Sequence, residues 1–263
     1  LVANSYRGSQ NLISRGADPA RIKVLPNVLD LAEFDARSRM PSRCALPPGR
    51  IIAAAVGSLL PCKRFDRFLK ALALAQRKAP NLFGVIAGAD CGAGSALLRT
   101  ADELGLGPGE VSFAGECDNV PALLAQSAFL VLCSDYEGFP NVILEAMGAR
   151  LPVVTTPVGD AESIVQHDLT GYVVDGDHVE AIADRMAELA LSPAARKRLG
   201  MEGRRRVVLE YNYEALSTRL LAVCRDFAVQ NRKHDLLKSL EGGGLVASPS
   251  GLAGARLASE PAA

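Results

Sequence analysis

Phe129-Leu130-Val131-Leu132-Cys133-Ser134-Asp135-Tyr136-Glu137-Gly138-Phe139-Pro140-Asn141-Val142-Ile143-Leu144-Glu145-Ala146-Met147 is the stretch on which the fold turns. The continuous apolar run Phe129 to Cys133 reads as a strand buried on both faces, as in a parallel sheet covered by helices. A polar turn follows, and Pro140 opens a helix at the position where a missing N–H costs nothing. On that helix Asn141, Leu144, Glu145 and Gly148 share one face, and apolar stripes flank it. One carboxylate, Glu137, thus sits on a loop after a strand. The other, Glu145, lies about a turn inside the next helix. The free N–H groups of the helix start fall between them and favour an anion. A ligand carrying hydroxyls and phosphates suits such a place. Spacing alone leaves open a Glu145 satisfied by a neighbouring Arg or backbone donor, and a solvated Glu137.

The same alternation extends on either side. Ile51–Val56, Leu82–Ala87, Val111–Ala114, Pro152–Thr155 and Tyr172–Val174 read as further strands. Helical patterns over Arg64–Ala79, Ala93–Leu104, Val120–Gln126 and Glu162–Val165 separate them. The fold class that follows is α/β: a Rossmann-like parallel sheet with helices on both faces. Ligands bind such sheets beyond the C-terminal strand ends. There lie Gly57-Ser58, Gly88-Ala89-Asp90, Gly115-Glu116, Ser134 to Pro140 and Thr155 to Asp160. Three of these segments begin with glycine, which lets a ligand approach the backbone.

After residue 176 the pattern is all helical: Val179–Ala190, Pro193–Gly200, Glu202–Tyr211 and a long helix from Tyr213 to about Lys238. Residues 241–263, rich in Gly, Ala and Ser, predict a disordered tail. Before the sheet, Ile22–Leu25 reads as a strand and the polar stretch 35–49 as a linker. The organisation expected is a remnant of a preceding domain plus linker over 1–47, the sheet domain over 48–230, and a helix end with tail over 231–263. The chain does not begin with Met and starts inside a strand-like run, so a piece lacking its upstream part is expected.

Composition narrows the function. Lys plus Arg equals Asp plus Glu, which argues against nucleic-acid binding through bulk charge. The six cysteines form no metal-ligand spacing and point to a reducing, cytoplasmic setting. No run approaches the ~18–20 apolar residues of a membrane span. Lys63 and Arg64 follow the first sheet strand, where a cation could neutralise a diphosphate. The basic run Arg204-Arg205-Arg206, with Arg196, Lys197 and Arg198, reads as a solvated helical face.

The run Glu137 to Met147 resembles the E-x7-E signature of retaining glycosyltransferases of family four, the glycosyltransferase group one proteins. Four further stretches are similar to family motifs in the same order: Pro26-Asn27-Val28-Leu29-Asp30, Val56-Gly57-Ser58 to Lys63-Arg64-Phe65-Asp66, Ala87-Gly88-Ala89-Asp90, and Val158-Gly159-Asp160-Ala161-Glu162 with Thr170-Gly171-Tyr172-Val173-Val174. The resemblance covers roughly residues 1–228 and implies the C-terminal, donor-binding half of a GT-B fold. By that analogy Glu145 binds the ribose hydroxyls, Glu137 faces the donor sugar and Lys63 contacts the diphosphate, with Gly57, Ser58, Arg64 and Gly88 around it. Gly138, Phe139, Pro140, Asn141 and Val142 bring backbone towards sugar and phosphate. The base rests by Asp118, Asn119 and Val120. Ser58 departs from the arginine many relatives carry, and Arg64 is a candidate to compensate. Val28 and Asp160 replace turn glycines.

The implied activity is transfer of a sugar, with retention, from a UDP- or GDP-sugar to a carbohydrate or lipid-linked acceptor such as a polysaccharide or glycolipid precursor. No metal or other cofactor is expected. Peripheral contact with the cytoplasmic face of a membrane would run through the missing domain. A GT-B epimerase or phosphorylase and a non-catalytic nucleotide-sugar-binding fragment are the rival readings.

Overall fold

In the computed structural model, which describes residues 1–242, the apolar runs form a six-stranded parallel sheet. Its strands are β3 (Ile51–Val56), β4 (Leu82–Ala87), β5 (Val111–Gly115), β6 (Phe129–Leu132), β7 (Val153–Thr155) and β8 (Gly171–Val173), in the spatial order β5-β4-β3-β6-β7-β8. A separate parallel pair joins β1 (Val2–Ala3) to β2 (Lys23–Val24). The helices of the sheet unit are α1 (Tyr6–Ser14), α2 (Leu31–Ser38), α3 (Phe65–Lys78), α4 (Gly94–Glu103), α5 (Val120–Ala125), α6 (Asn141–Gly148), α7 (Ala161–Ile164), α8 (Val179–Leu191) and α9 (Pro193–Glu210).

Alternation along the strands divides the core between two faces. Ala53, Ala55, Phe129 and Val131 face Phe68 and Leu72 of α3, Leu97 of α4 and Met186 of α8. Ile52, Ala54, Leu130 and Leu132 face Phe34 of α2, Leu124 of α5, Ile143 and Met147 of α6 and Val207 of α9. Each such Leu, Ile or Phe, fully buried, contributes about 1.5–3 kcal/mol. With both faces covered, only the strand ends remain for a ligand. The chain leaves β3 towards β4 on one side, and β6 lies on the other. The crevice beyond the C-terminal ends of β3 and β6 is therefore the switch point at which open α/β sheets bind ligands.

Leu1–Tyr213 form one compact unit, which includes the segment expected to belong to a preceding domain. Part of the expected linker is helical. Asp30 caps α2 by accepting from the Glu33 N–H at 2.9 Å, Phe34 is buried, and Asp35 receives the Arg204 guanidinium at 2.8 and 2.6 Å. These tertiary contacts decide the matter, and local composition does not show them.

The two helices expected over 193–211 are one, α9. Gly200 sits where a Cβ would lie 1.9 Å from the Arg150 carbonyl oxygen, so the glycine permits close packing and does not end the helix. Of the basic residues expected to form a solvated face, Lys197, Arg198 and Arg205 are exposed, whereas Arg196, Arg204 and Arg206 are not. Arg196 donates to the carbonyls of Leu189 and Ala190 at the end of α8, Arg204 to Gly148 at the end of α6, and Arg206 to Ser163. Cations there satisfy orphan C-terminal carbonyls.

The second unit begins at Glu214. The long helix expected over 213–238 is two, α10 (Tyr213–Gln230) and α11 (His234–Gly242). Arg232 adopts φ 53°, its N–H bonds to Val229, and Lys233 N–H bonds to Ala228. That paired pattern is a Schellman stop, with arginine where glycine is usual. Of the tail expected to be disordered, residues 243–263 lie outside the described residues.

Candidate functional site at the sheet switch point

A 3-10 turn, Pro61–Lys63, follows β3 and delivers Lys63 across the switch point to the loop after β6. Its Nζ lies 2.6 Å from Glu137 Oε1, and the Ser134 hydroxyl donates to the same oxygen at 2.7 Å. The Lys63 and Glu137 side chains are 23 % and 12 % exposed, so the pair is largely shielded from water. Gly57 runs alongside, and a Cβ there would meet the Lys63 stem at 3.7 Å.

The Glu137 loop is fixed from behind. Gly159 holds φ 54°, Asp160 N–H donates to the Gly138 carbonyl, and a Cβ on Gly159 would lie 2.4 Å from that oxygen and 2.6 Å from the Glu137 carbonyl oxygen. Thr156 donates to Ser134 O at 2.7 Å. Asp160 also turns to the opposite segment, accepting from the Tyr6 and Arg7 N–H groups of α1 at 2.7 and 2.9 Å.

Helix α6 starts at the same loop. Pro140 is its N-cap residue and offers no side-chain bond, and Phe139 is buried against Tyr211. Asn141 side chain accepts from Asn27 at 2.8 Å. Among the described residues nothing accepts from the backbone N–H groups of Asn141 and Val142. Two donors and a positive helix end are therefore left without a partner from the described chain, a few residues after Glu137.

Glu145 points into a pocket of about 420 Å³. Asp30, Glu33, Phe34 and Arg37 of the α2 region line one side, and Val120 and Pro121 of α5 the other. Among the described residues no hydrogen bond reaches its carboxylate. Burial pushes its pKa up, against a downward pull from Arg37.

The remaining expected residues fall in three groups. Gly88 lies on the rim, but a Cβ there would meet the Gly57 carbonyl oxygen at 1.9 Å. Loop-to-loop packing alone thus requires a glycine there. Ser58 follows Gly57, and its carbonyl accepts from Leu60 N–H. Arg64, with φ 51°, is engaged by Asp66 and Asp135, both at 2.9 Å, and lines a cavity of about 160 Å³ with Arg67, Lys70 and Asp177, separate from the Glu145 pocket. Burial works against the Asp135 charge, yet Arg64 and Arg67 bring its pKa down.

Asn119 caps α5 through the Ala122 N–H and donates to the carbonyls of Arg37 and Pro41. Asp118 accepts from Arg43 N–H at 3.4 Å. Of these three residues Val120 is the one that lines the Glu145 pocket.

Sequence reasoning missed Ser134 and Arg37. Ser134 stands three residues before Glu137, a spacing that a turn brings into contact. Arg37 lies in the stretch read as linker. Among the described residues no group of three His, Cys, Asp or Glu is placed to hold a metal ion, and no helix is long and apolar enough to cross a membrane.

Known proteins resemble this chain in sequence and in architecture. The family model described as glycosyl transferases group 1 matches residues 37–206. A D-inositol 3-phosphate glycosyltransferase of Mycolicibacterium paratuberculosis is 37 % identical over 202 residues, 74 % of this chain and 45 % of that protein. The protein of the same description from Mycobacterium bovis is 33 % identical over 234 residues, 86 % of this chain and 48 % of its own length. The chain thus spans about half the length of these curated relatives. Among solved structures, the Anabaena protein HepE in complex with UDP superposes with a TM-score of 0.73 at 20 % identity, covering 84 % of this chain and 62 % of that one. Sucrose-phosphate synthase from Thermosynechococcus elongatus gives 0.71 at 24 %, covering 87 % and 58 %.

Proposed function

This chain belongs to the glycosyl transferases group 1 family, and on that premise we propose that it is the donor-binding half of a glycosyltransferase that takes a sugar from a UDP- or GDP-sugar. One observation carries the reading: the loop after β3 and the loop after β6 meet at the switch point through the Lys63–Glu137 pair, on the loop that leads into the unpartnered N–H groups of α6. The acceptor, a carbohydrate or lipid-linked precursor, would be held by the rest of a longer protein. The Anabaena structure, which holds UDP, supports a nucleotide sugar as the donor class.

The roles follow from chemistry. Glu145 can accept from two ribose hydroxyls, a use that explains a shielded carboxylate with no hydrogen bond from the chain. Lys63 and the Asn141 and Val142 N–H groups would take up the negative charge that grows on a departing diphosphate. They are preorganised donors needing no reorientation, and no metal is required. Glu137, held by Lys63 and Ser134, would turn its second oxygen towards a sugar hydroxyl. Ser58 adds a weaker hydroxyl donor near the diphosphate. Arg64, already bound by two carboxylates, would act by holding the Asp135 end of the loop. The base would lie against Val120 and the backbone of Asp118 and Asn119. Retention of anomeric configuration would follow from attack on the face the diphosphate leaves.

A thermal-shift screen of the chain with UDP, GDP, ADP and their glucose esters tests the reading. A concentration-dependent rise with one uridine or guanosine series is expected, and no rise with any of them would overturn it.

A further inference from the structure

Cys44 lies on the segment between α2 and β3, and Cys117 on the loop between β5 and α5, 73 positions apart in sequence. Their sulfurs are 3.0 Å apart, about 1 Å beyond a covalent S–S bond. Both are thiols, Cys44 buried and Cys117 half-buried. Among the described residues no other two cysteine sulfurs are in contact: Cys62 and Cys91 are exposed singly, and Cys133 is buried alone in the sheet region.

Polar contacts already hold the same two segments in register. Asn119 Nδ2 donates to the Arg37 and Pro41 carbonyls at 3.0 and 3.3 Å, and the Arg43 guanidinium stands 3.5 Å from the Asp118 carboxylate. The sulfur pair therefore sits inside a clasp whose two sides are fixed independently of the thiols.

We propose that Cys44 and Cys117 form a reversible disulfide that fastens residues 39–47 to the loop before α5. The oxidant is a low-molecular-weight disulfide. Cys117, the more exposed sulfur, attacks one sulfur of that disulfide as thiolate and forms a mixed disulfide, releasing one small thiolate. Cys44, whose pKa is pushed up to about 11 by burial and then by its contact with Cys117, keeps its proton until this stage. It then attacks the Cys117 sulfur, and the second small thiolate leaves. The two protons given up by Cys44 and Cys117 end on the two small thiols, so two protein thiols are oxidised and one disulfide is reduced. The Cys44 thiol is thus the resolving partner and not the first nucleophile.

The test uses the whole 263-residue chain. It is equilibrated with oxidised glutathione, trapped with N-ethylmaleimide, and digested without reductant by trypsin and a protease cutting at acidic residues, which separates Cys117 from Cys133. A linked pair of peptides carrying Cys44 and Cys117, lost on reduction, is expected. The linked chain is also expected to melt roughly 5 °C or more above its reduced form, as closure of a long loop implies. Cys44→Ser should leave Cys117 as its glutathione adduct. Recovery of both wild-type cysteines as maleimide or separate glutathione adducts would overturn the proposal, and so would a linked chain with an unchanged melting temperature.

Discussion

Lys63→Ala withdraws the cation held 2.6 Å from Glu137 and leaves that carboxylate with the Ser134 hydroxyl. Breaking a fully buried pair costs about 3–5 kcal/mol, and an exposed pair contributes ~0–1 kcal/mol. At 23 % and 12 % exposure, with one hydrogen bond retained, this pair falls between them. A loss of about 1–2 kcal/mol is expected, or roughly 2–8 °C in melting temperature for a domain of this size. Adding Glu137→Gln removes the uncompensated charge, so the double variant should recover about half of that loss. For binding, one charge-assisted hydrogen bond to a phosphate is worth about 1.5–3 kcal/mol, which corresponds to roughly 10- to 150-fold in affinity. Calorimetric titration should therefore show UDP or GDP weakened by that factor in Lys63→Ala, with the matching nucleoside unchanged. Equal losses for nucleoside and diphosphate would refute the assignment of Lys63 to phosphate.

Three further outcomes follow from the contacts. Arg204→Ala removes a paired guanidinium from Asp35 and should cost about 2–3 kcal/mol at neutral pH by chemical denaturation. Arg204 holds the Asp35 pKa below the usual aspartate range, so this stabilisation is present above that range and lost as pH falls through the lowered value. The gap between wild type and variant should narrow in acid to what the Arg204 bond to the Gly148 carbonyl contributes, and a constant gap would contradict the pairing. Glu145 runs the other way. Its pKa is raised by burial, so the folded state binds its proton more tightly and the cost of its charge appears as pH rises through the glutamate range. Glu145→Gln should raise the melting temperature at pH 7 and not at pH 3.5, while weakening the nucleotide. A lower melting temperature at pH 7 would show that the carboxylate is stabilised by partners. Gly159→Ala sets a side chain against the Glu137 and Gly138 carbonyls at positive φ and should cost about 2–4 kcal/mol, with reduced diphosphate affinity. An unperturbed melt would mean the loop moves aside freely.

What the sequence shows and what it hides divide along physical lines. β3 and β4 run over the residues that the apolar pattern marks, because strands buried on both faces leave uninterrupted hydrophobic runs. Glu137 and Glu145 are legible for a related reason: both follow an apolar strand run, one on the loop after it and one on the helix that loop enters. The elements that escaped depend on partners distant in sequence. α2 is short, mixes apolar with charged residues, and is held by Arg204, 169 positions from Asp35. α9 continues through Gly200 because a neighbouring backbone approaches there. Arg196 and Arg204 of α9 look solvated until the carbonyls at the ends of α8 and α6 are seen beside them. Arg37 escaped for the reason α2 did, and with it one wall of the Glu145 pocket.

The proposed function requires Glu145 and the switch-point loops to form one nucleoside-diphosphate site. Isothermal titration of the chain and of Glu145→Ala with UDP and with GDP tests it most directly. Saturable one-to-one binding of at least one of them, weakened tenfold or more in the variant, is the predicted result. Binding of equal strength in both proteins, or no binding of either nucleotide to the unaltered chain, would contradict the account.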